Sequence, residues 1–179
     1  MKFSSLIILS PLVYAVHHFE EHIIFNFREW RLKYFLDNNQ FSTEEMLIRL
    51  MIMSLVLIFF YTVRQNRASA HLVLFFLMTT QVVNAIFHAF FSVWYQDFSP
   101  GTITGVLLYI PVNFLIVRAA FQEKYLYNYY EAVLLFFAGA IAFTLFELLG
   151  PKLMVFIVLL LPFYYIIMNN LSKNIHYRV

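Results

Sequence analysis

Six apolar runs, each close to twenty residues long, follow one another along this chain with only short polar joints between them. A hydrocarbon layer of roughly 30 Å takes about 20 helical residues to cross, and a segment inside it has to satisfy its own backbone polar groups. Runs of this length therefore predict membrane-spanning helices, from Phe3 to Ile24, Met46 to Val63, Ala70 to Trp94, Thr102 to Phe121, Tyr130 to Leu149 and Lys152 to Asn169. Pro11, Pro111 and Pro162 fall inside these runs and predict kinks. Ser99-Pro100-Gly101 and Gly150-Pro151 read as turns. After the first run, Phe27, Trp30, Tyr34 and Phe35 are interleaved with Arg28, Arg31 and Lys33. That mixture predicts a helix lying in the membrane interface within Phe25 to Asn39, with the basic side chains on lipid headgroups. The expected architecture is all-α: a polytopic membrane helical bundle of about six spans plus an interfacial amphipathic helix after the first, as one domain over residues 1–179.

Composition agrees. The chain is 62% hydrophobic and 12% charged, with mean hydropathy +0.74, where a soluble domain is about half apolar and about a quarter charged. The expected partner is the lipid bilayer. A net charge of +2 is too small to suggest nucleic acid. No cysteine is present, which excludes a disulfide framework, a thiol nucleophile and a cysteine-held metal. Any metal would take His, Asp, Glu, Asn or backbone as ligands. Lys2, Arg64, Arg67, Arg118, Lys124, Lys173 and Arg178 lie at the ends that an even number of spans puts on the amino-terminal side. The lysine and arginine bias thus predicts a multi-pass protein with both termini in the cytoplasm. Lys152 and the Arg28, Arg31 and Lys33 group fall on the other side, and the latter dissents. Lys2, the apolar run and Val13-Tyr14-Ala15 also resemble a cleavable secretory signal.

The first run ends in His17-His18-Phe19-Glu20-Glu21-His22. Ionisable groups at membrane depth are expensive, and they either face a protein interior or mark a functional site. With alternating span directions, Asn84 and His88 on the third run, Glu147 on the fifth and the Pro100-Gly101-Thr102-Ile103-Thr104 entry to the fourth come to a similar depth. At about 100° per residue, His17 stacks on Glu21, His18 on His22 and Asn84 on His88. A His and a Glu so placed share a cation, or the carboxylate fixes the imidazole tautomer. His18 to His22 also spells the H-x-x-E-H order of inverted zinc peptidases. The bland alternatives are an interfacial polar cap, a satisfied core histidine at His88, and a Glu147 that only reaches water.

Three motifs carry a family resemblance. His17 to Glu21 fits H-x-x-E-E, Asn84 to His88 fits N-A-x-x-H, and Pro100 to Thr104 fits P-G-x-x-T. In order and spacing the chain resembles the HXXEE domain family of small bacterial multi-span proteins, over about its first two-thirds. The resemblance implies a bacterial cytoplasmic-membrane protein of enzymatic type, with its first helix retained. It singles out His17, Glu20, Glu21, Asn84, His88, Pro100, Gly101 and Thr104. His18, His22 and Glu147 stand outside these motifs as additional candidates.

The expected function is a membrane-embedded, metal-dependent hydrolase or acyl transferase acting on a lipid or membrane-anchored substrate. His17, Glu21 and His88 are the expected ligands of one divalent metal, zinc first and iron second, in the three-ligand open pattern of a catalytic site. Glu20 is the expected general acid or base. Asn84 and Thr104 are expected to orient substrate or a ligand. The Pro100-Gly101 turn is expected to offer backbone N–H groups to an anionic intermediate. The alternatives are a proton or divalent-cation transporter or pH sensor using the same cluster, a mono- or di-iron oxidase, and a structural accessory subunit.

Overall fold

The computed structural model describes residues 1–36 and 41–176, and the side chains of 1–36 and 41–172. Lys173, Arg178 and the end of the expected interfacial segment lie outside the described side chains. Among the described residues all regular structure is helical. The elements are α1 (Phe3–Ile7), α2 (Leu9–Phe19), α3 (Phe27–Tyr34), α4 (Thr43–Arg64), α5 (Arg67–Leu77), α6 (Asn84–Trp94), α7 (Thr102–Thr104), α8 (Ile110–Gln122), α9 (Tyr129–Leu149) and α10 (Lys152–His176). Of three wide π turns, Met78–Val83 and Gly105–Tyr109 join helices without breaking the path of the chain, while Glu20–Ile24 ends the first span before the extended Phe25. Five helical stretches are long and apolar enough to cross a membrane: Thr43–Arg64, Arg67–Trp94, Thr102–Gln122, Tyr129–Leu149 and Lys152–Ser172. The remaining expected span, residues 3–24, is helical in three pieces. The chain is therefore a membrane-type helical bundle.

The boundaries follow local chemistry. Ser42 and Glu45 form a reciprocal cap at the start of α4, and Asn66 and Ser69 do the same for α5, each satisfying N–H groups that the first turn leaves unpaired. Pro11 has no N–H for the carbonyl of Ile7, and the Ser10 hydroxyl donates to that carbonyl instead, at 2.8 Å. The break between α1 and α2 is the visible result. Pro111 similarly follows the third π turn, where the ladder is already interrupted. Pro162 leaves α10 a single helix.

The core occupies the end of the bundle where the first span starts. Phe3, Leu6 and Ile7 are buried with Leu57, Tyr61, Leu74, Ile116 and Leu126. Phe3 meets the rings of Tyr61 and Tyr125 edge-on or tilted, both at 5.1 Å, and its N–H donates to Glu123 at 2.6 Å. Phe3, Leu6 and Ile7 thus belong to the core, and removing them would open it.

Halfway along, buried polar groups tie the spans together. Gln81 donates to the Ser10 carbonyl at 2.9 Å, and Asn113 donates to Gln81 at 2.8 Å. Three helices far apart in sequence are so connected by groups with no water to turn to. Gln81 sits in the second π turn, where Thr79 and Thr80 bond back to the carbonyls of Phe75 and Phe76, which weakens a regular ladder. Gly139 of α9 lies directly on this turn. A Cβ there would stand 3.0 Å from the Thr79 nitrogen and 3.1 Å from Met78 atoms. Replacing Gly139 by alanine should therefore push α9 off the turn, and thermal unfolding in detergent followed by circular dichroism should show a loss of about 1–3 kcal/mol. An unchanged midpoint would refute this packing.

Candidate metal centre

Glu20 and Glu21 are neighbours on the first π turn but point into different surroundings. The Glu20 carboxylate lies against the start of the fourth span. It accepts hydrogen bonds from the N–H groups of Gly101 (3.0 Å), Ile103 (3.2 Å) and Thr104 (2.7 Å), and from the Thr104 hydroxyl. These are the donors that a helix start leaves unpaired, and the helix dipole adds to the attraction for a carboxylate. The N–H groups expected to face an anionic intermediate are spent on Glu20. The carboxylate expected to act as general acid or base is itself saturated with donors.

Glu21 instead faces two imidazoles. Its Oε1 lies 3.4 Å from Nε2 of His17 and 2.9 Å from Nε2 of His88. Two donors held on one cation by bonds of about 2.1 Å at a tetrahedral angle stand about 3.4 Å apart. All three side chains are buried, and their donor atoms lie within 4.8 Å of one another. Neither Nε2 has an aligned hydrogen-bond partner. The opposite ring nitrogens are engaged: Nδ1 of His17 lies 2.8 Å from the Thr104 hydroxyl and Nδ1 of His88 lies 2.9 Å from the Ser99 hydroxyl. The Thr104 hydroxyl gives its proton to Glu20, so it accepts from His17. One His17 proton is then on Nδ1, and Nε2 faces a carboxylate oxygen with either a second ring proton or a cation to bridge them. That arrangement asks for a positive charge between them, and it is the outer-shell pattern of metal-ligating histidines.

Gly101 closes the cluster from one side. Its φ is +97°, and a Cβ would stand 2.9 Å from Cε1 of His17 and 3.1 Å from both Cγ of Glu21 and Cε1 of His88. The position demands glycine for backbone and for space alike. Phe27 of α3 covers another side, its ring 4.9 Å from that of His88, and Tyr109 lies 4.3 Å from His17 with its hydroxyl buried and unpartnered.

Asn84 lies one turn before His88 and does not join the ligand group. It lines the adjoining cavity, and its side-chain oxygen is buried without a partner. His18 and His22 meet with ring centroids 4.5 Å apart and planes tilted by 52°, and Nε2 of His22 is 3.7 Å from Oε2 of Glu21. Glu147 is part of the cavity wall but does not reach the cluster: it pairs with Arg31 at 2.8 Å. Arg31 and Lys33, expected on lipid headgroups, form ion pairs with Glu147 and with Asp97 (3.6 Å). The reason is geometric: α3 lies across the ends of α6 and α9, within reach of their carboxylates.

The cavity has a volume of about 220 Å³. His17, Glu21 and Asn84 stand at one end, and Met53, Leu57 and Leu161 line the remainder. Its wall follows α4 from Met46 to Leu57, about 16 Å at the helical rise. A second cavity of about 1050 Å³ lies towards the start of α5, beside Arg67, His71 and Glu131, and shares Phe75, Ile157 and Leu161 with the first.

Sequence reasoning missed Ser99, Tyr109 and Phe27 at the cluster. Ser99 adjoins the Pro-Gly turn, which is the one signal that could have raised it. It also missed His71, which is buried with both ring nitrogens bonded, to Tyr164 (3.1 Å) and to the Tyr125 carbonyl (2.9 Å).

No curated protein and no solved structure matches the chain. A family model described as "Protein of unknown function with HXXEE motif" matches residues 8–116, a stretch that contains the histidine–glutamate cluster, the Asn84–His88 turn and the Pro100–Thr104 turn. The chain belongs to the HXXEE family.

Proposed function

We propose that this protein is a membrane-embedded, metal-dependent enzyme of the hydrolase or acyl-transferase type, acting on a lipid or membrane-anchored substrate. The observation that carries the reading is the pair of buried Nε2 atoms of His17 and His88, neither in an aligned hydrogen bond, converging on one oxygen of Glu21. These three residues fit a divalent cation, zinc or iron, by donor type, spacing and burial. A cation held there would lower the pKa of a water molecule and polarise a substrate carbonyl or phosphoryl oxygen.

The other residues position this set. Thr104 orients His17, and Ser99 orients His88. Glu20 holds the turn that carries Gly101 and Thr104, so its part is positioning rather than proton transfer. The unpaired oxygen of Asn84 is free to accept a hydrogen bond from a group entering the cavity. A polar end followed by about 16 Å of apolar wall suits an amphiphile whose reacting head meets the cluster while its chain lies along α4. Lys2, Arg64 and Lys124 share the end of the bundle opposite the cluster. We place that end in the cytoplasm by the positive-inside rule and the cluster near the extracytoplasmic leaflet.

One observation favours a second reading, transport of protons or of a divalent cation. The two cavities open towards opposite ends of the bundle and share Phe75, Ile157 and Leu161. That shared wall is apolar, which weighs against a continuous proton relay. Protein reconstituted in liposomes and loaded with metal should pass neither protons nor zinc. Metal-free protein that moves protons would favour transport and overturn the enzyme reading.

Metal content is the direct test. Purified protein should carry stoichiometric divalent metal by mass spectrometry, and His88→Ala and Glu21→Gln should lose it while remaining folded. Metal-free wild type after growth and purification with added zinc and iron would sink the reading. Ser99→Ala should keep the fold and weaken metal affinity by roughly 10–100-fold, as loss of an outer-shell partner does; an unchanged affinity would remove Ser99 from the site. Gly101→Ala should abolish metal binding and cost at least about 1–2 kcal/mol of stability, from left-handed backbone strain alone. Full metal occupancy in that variant would contradict the close packing of Gly101 on His17 and His88.

A further inference from the structure

The buried histidines of this bundle fall into groups by what their nitrogens do. His71 has both bonded, and it is structural. His17 and His88 each have Nδ1 bonded and Nε2 free, aimed at Oε1 of Glu21. His18 and His22 form the remaining pair. Their ring centroids lie 4.5 Å apart with the planes tilted by 52°, and among the described residues neither takes part in a hydrogen bond. Two imidazoles without hydrogen bonds, held together beside a carboxylate, leave nitrogen donors open to a ligand, and burying such a group as His18 without a partner is costly.

Their position relative to Glu21 supplies one. The carboxylate is divided between the two sets: Oε1 faces His17 and His88, and Oε2 lies 3.7 Å from Nε2 of His22. The donor atoms of His18, Glu21 and His22 lie within 4.8 Å of one another, as do those of His17, Glu21 and His88. One carboxylate with a pair of imidazoles on each of its oxygens is the donor arrangement of a carboxylate-bridged pair of metal ions. Such pairs sit about 3.5–4 Å apart and clamp one substrate between them. The helical register makes this possible: His17 and His18 are consecutive, so their side chains diverge by about 100° and embrace Glu21 from either side.

We propose that His18 and His22, with Oε2 of Glu21, bind a second divalent cation, so that the centre is dinuclear and Glu21 is its bridge. The proposal rests on the His17–Glu21–His88 site as a metal centre and extends it to residues outside the three family motifs. The two sites differ in access. Gly101 and Phe27 pack on the first, whose His17 and Glu21 reach the cavity wall while His88 does not line it. The second has His22 only partly buried and lines the cavity. The second cation is therefore the one beside an incoming head group, and the excess positive charge of two cations on one carboxylate suits an anionic head.

Titration of the full-length, tag-free protein in detergent with Mn²⁺ or Zn²⁺ tests this, with bound metal counted by mass spectrometry. Wild type should bind two equivalents. His18→Ala and His22→Ala should each bind one, with thermal midpoints close to that of wild type in the absence of metal. Electron paramagnetic resonance of the wild type at two equivalents of Mn²⁺ should show an exchange-coupled pair, a readout that needs no variant to fold. A single equivalent in wild type that survives both substitutions would overturn the second site and leave the first intact. Two equivalents with uncoupled signals would overturn the bridge. No bound metal at all would instead remove the metal reading on which the proposal stands.

Discussion

The structure of the candidate centre depends on the grip of one carboxylate on the start of a helix. Glu20 gathers the N–H groups of Gly101, Ile103 and Thr104 and the Thr104 hydroxyl. A charge-assisted hydrogen bond contributes about 1.5–3 kcal/mol net, and the penalty for leaving such groups bare rises in apolar surroundings. Everything around the cluster is positioned through this contact. It fixes the turn that sets Gly101 on His17, Glu21 and His88, and it fixes Thr104, whose oxygen orients His17. The first and third motifs of the family are, in this sense, two halves of one hydrogen-bonded unit. The second motif adds His88 from the facing helix, and Gly101 makes the distance between His17 and His88 short enough for both to reach Glu21.

The three π turns belong to the same construction. The second and third each insert an extra residue into a continuing helix and so turn what lies beyond by about 100° relative to a regular continuation. The turn at Glu20–Ile24 carries Glu20, Glu21 and His22. The turn at Met78–Val83 immediately precedes Asn84, and that at Gly105–Tyr109 follows Thr104. All of them adjoin a motif, and such turns favour functional positions because a ladder interrupted there can re-aim a side chain. Their stability is bought from neighbours: Gly139 packs flat on the second, and Gln81 within it bonds to Ser10 and Asn113.

Much of this was legible in the sequence, for definite physical reasons. Apolar length marks spans because the bilayer has a fixed thickness, and the expected ends differ from the observed ones by only a few residues, as at Met46 against Thr43. The meeting of His17, Glu21 and His88 follows from span direction and helical rise, which need no side-chain detail. What stayed illegible depends on partners. Nothing in the chain says that Glu20 would meet backbone N–H groups rather than a substrate, since its donors are main-chain atoms 81 to 84 residues away. The ion pairs of Arg31 and Lys33 were hidden for the same reason, because an interfacial helix rich in arginine looks alike whether it faces lipid or protein. Ser99, Gln81 and Asn113 gave no signal, being common residues whose importance comes from burial.

The arrangement also bears on how a substrate would reach the cluster. On the membrane-surface side, α3 lies over it: Arg31 is tied to Glu147 of α9, Tyr34 to Asp97 at 2.9 Å, and Phe27 rests on His88. Trp30 is buried beneath the same helix, stacked on Phe27. Charged and aromatic groups there are paired with one another, and Arg28 and Arg31 of the same helix also line the cavity. From the cluster the cavity runs on between α4, α5, α9 and α10, past Met53, Phe75 and Leu161. A water-soluble substrate entering from above would meet the Arg31–Glu147 pair and the packed rings of α3. An amphiphile already in the bilayer would need only to pass its apolar chain between helices whose facing side chains are themselves apolar. Under the proposed function, the apolar part of the cavity suits the chain of such an amphiphile and the polar end suits its head.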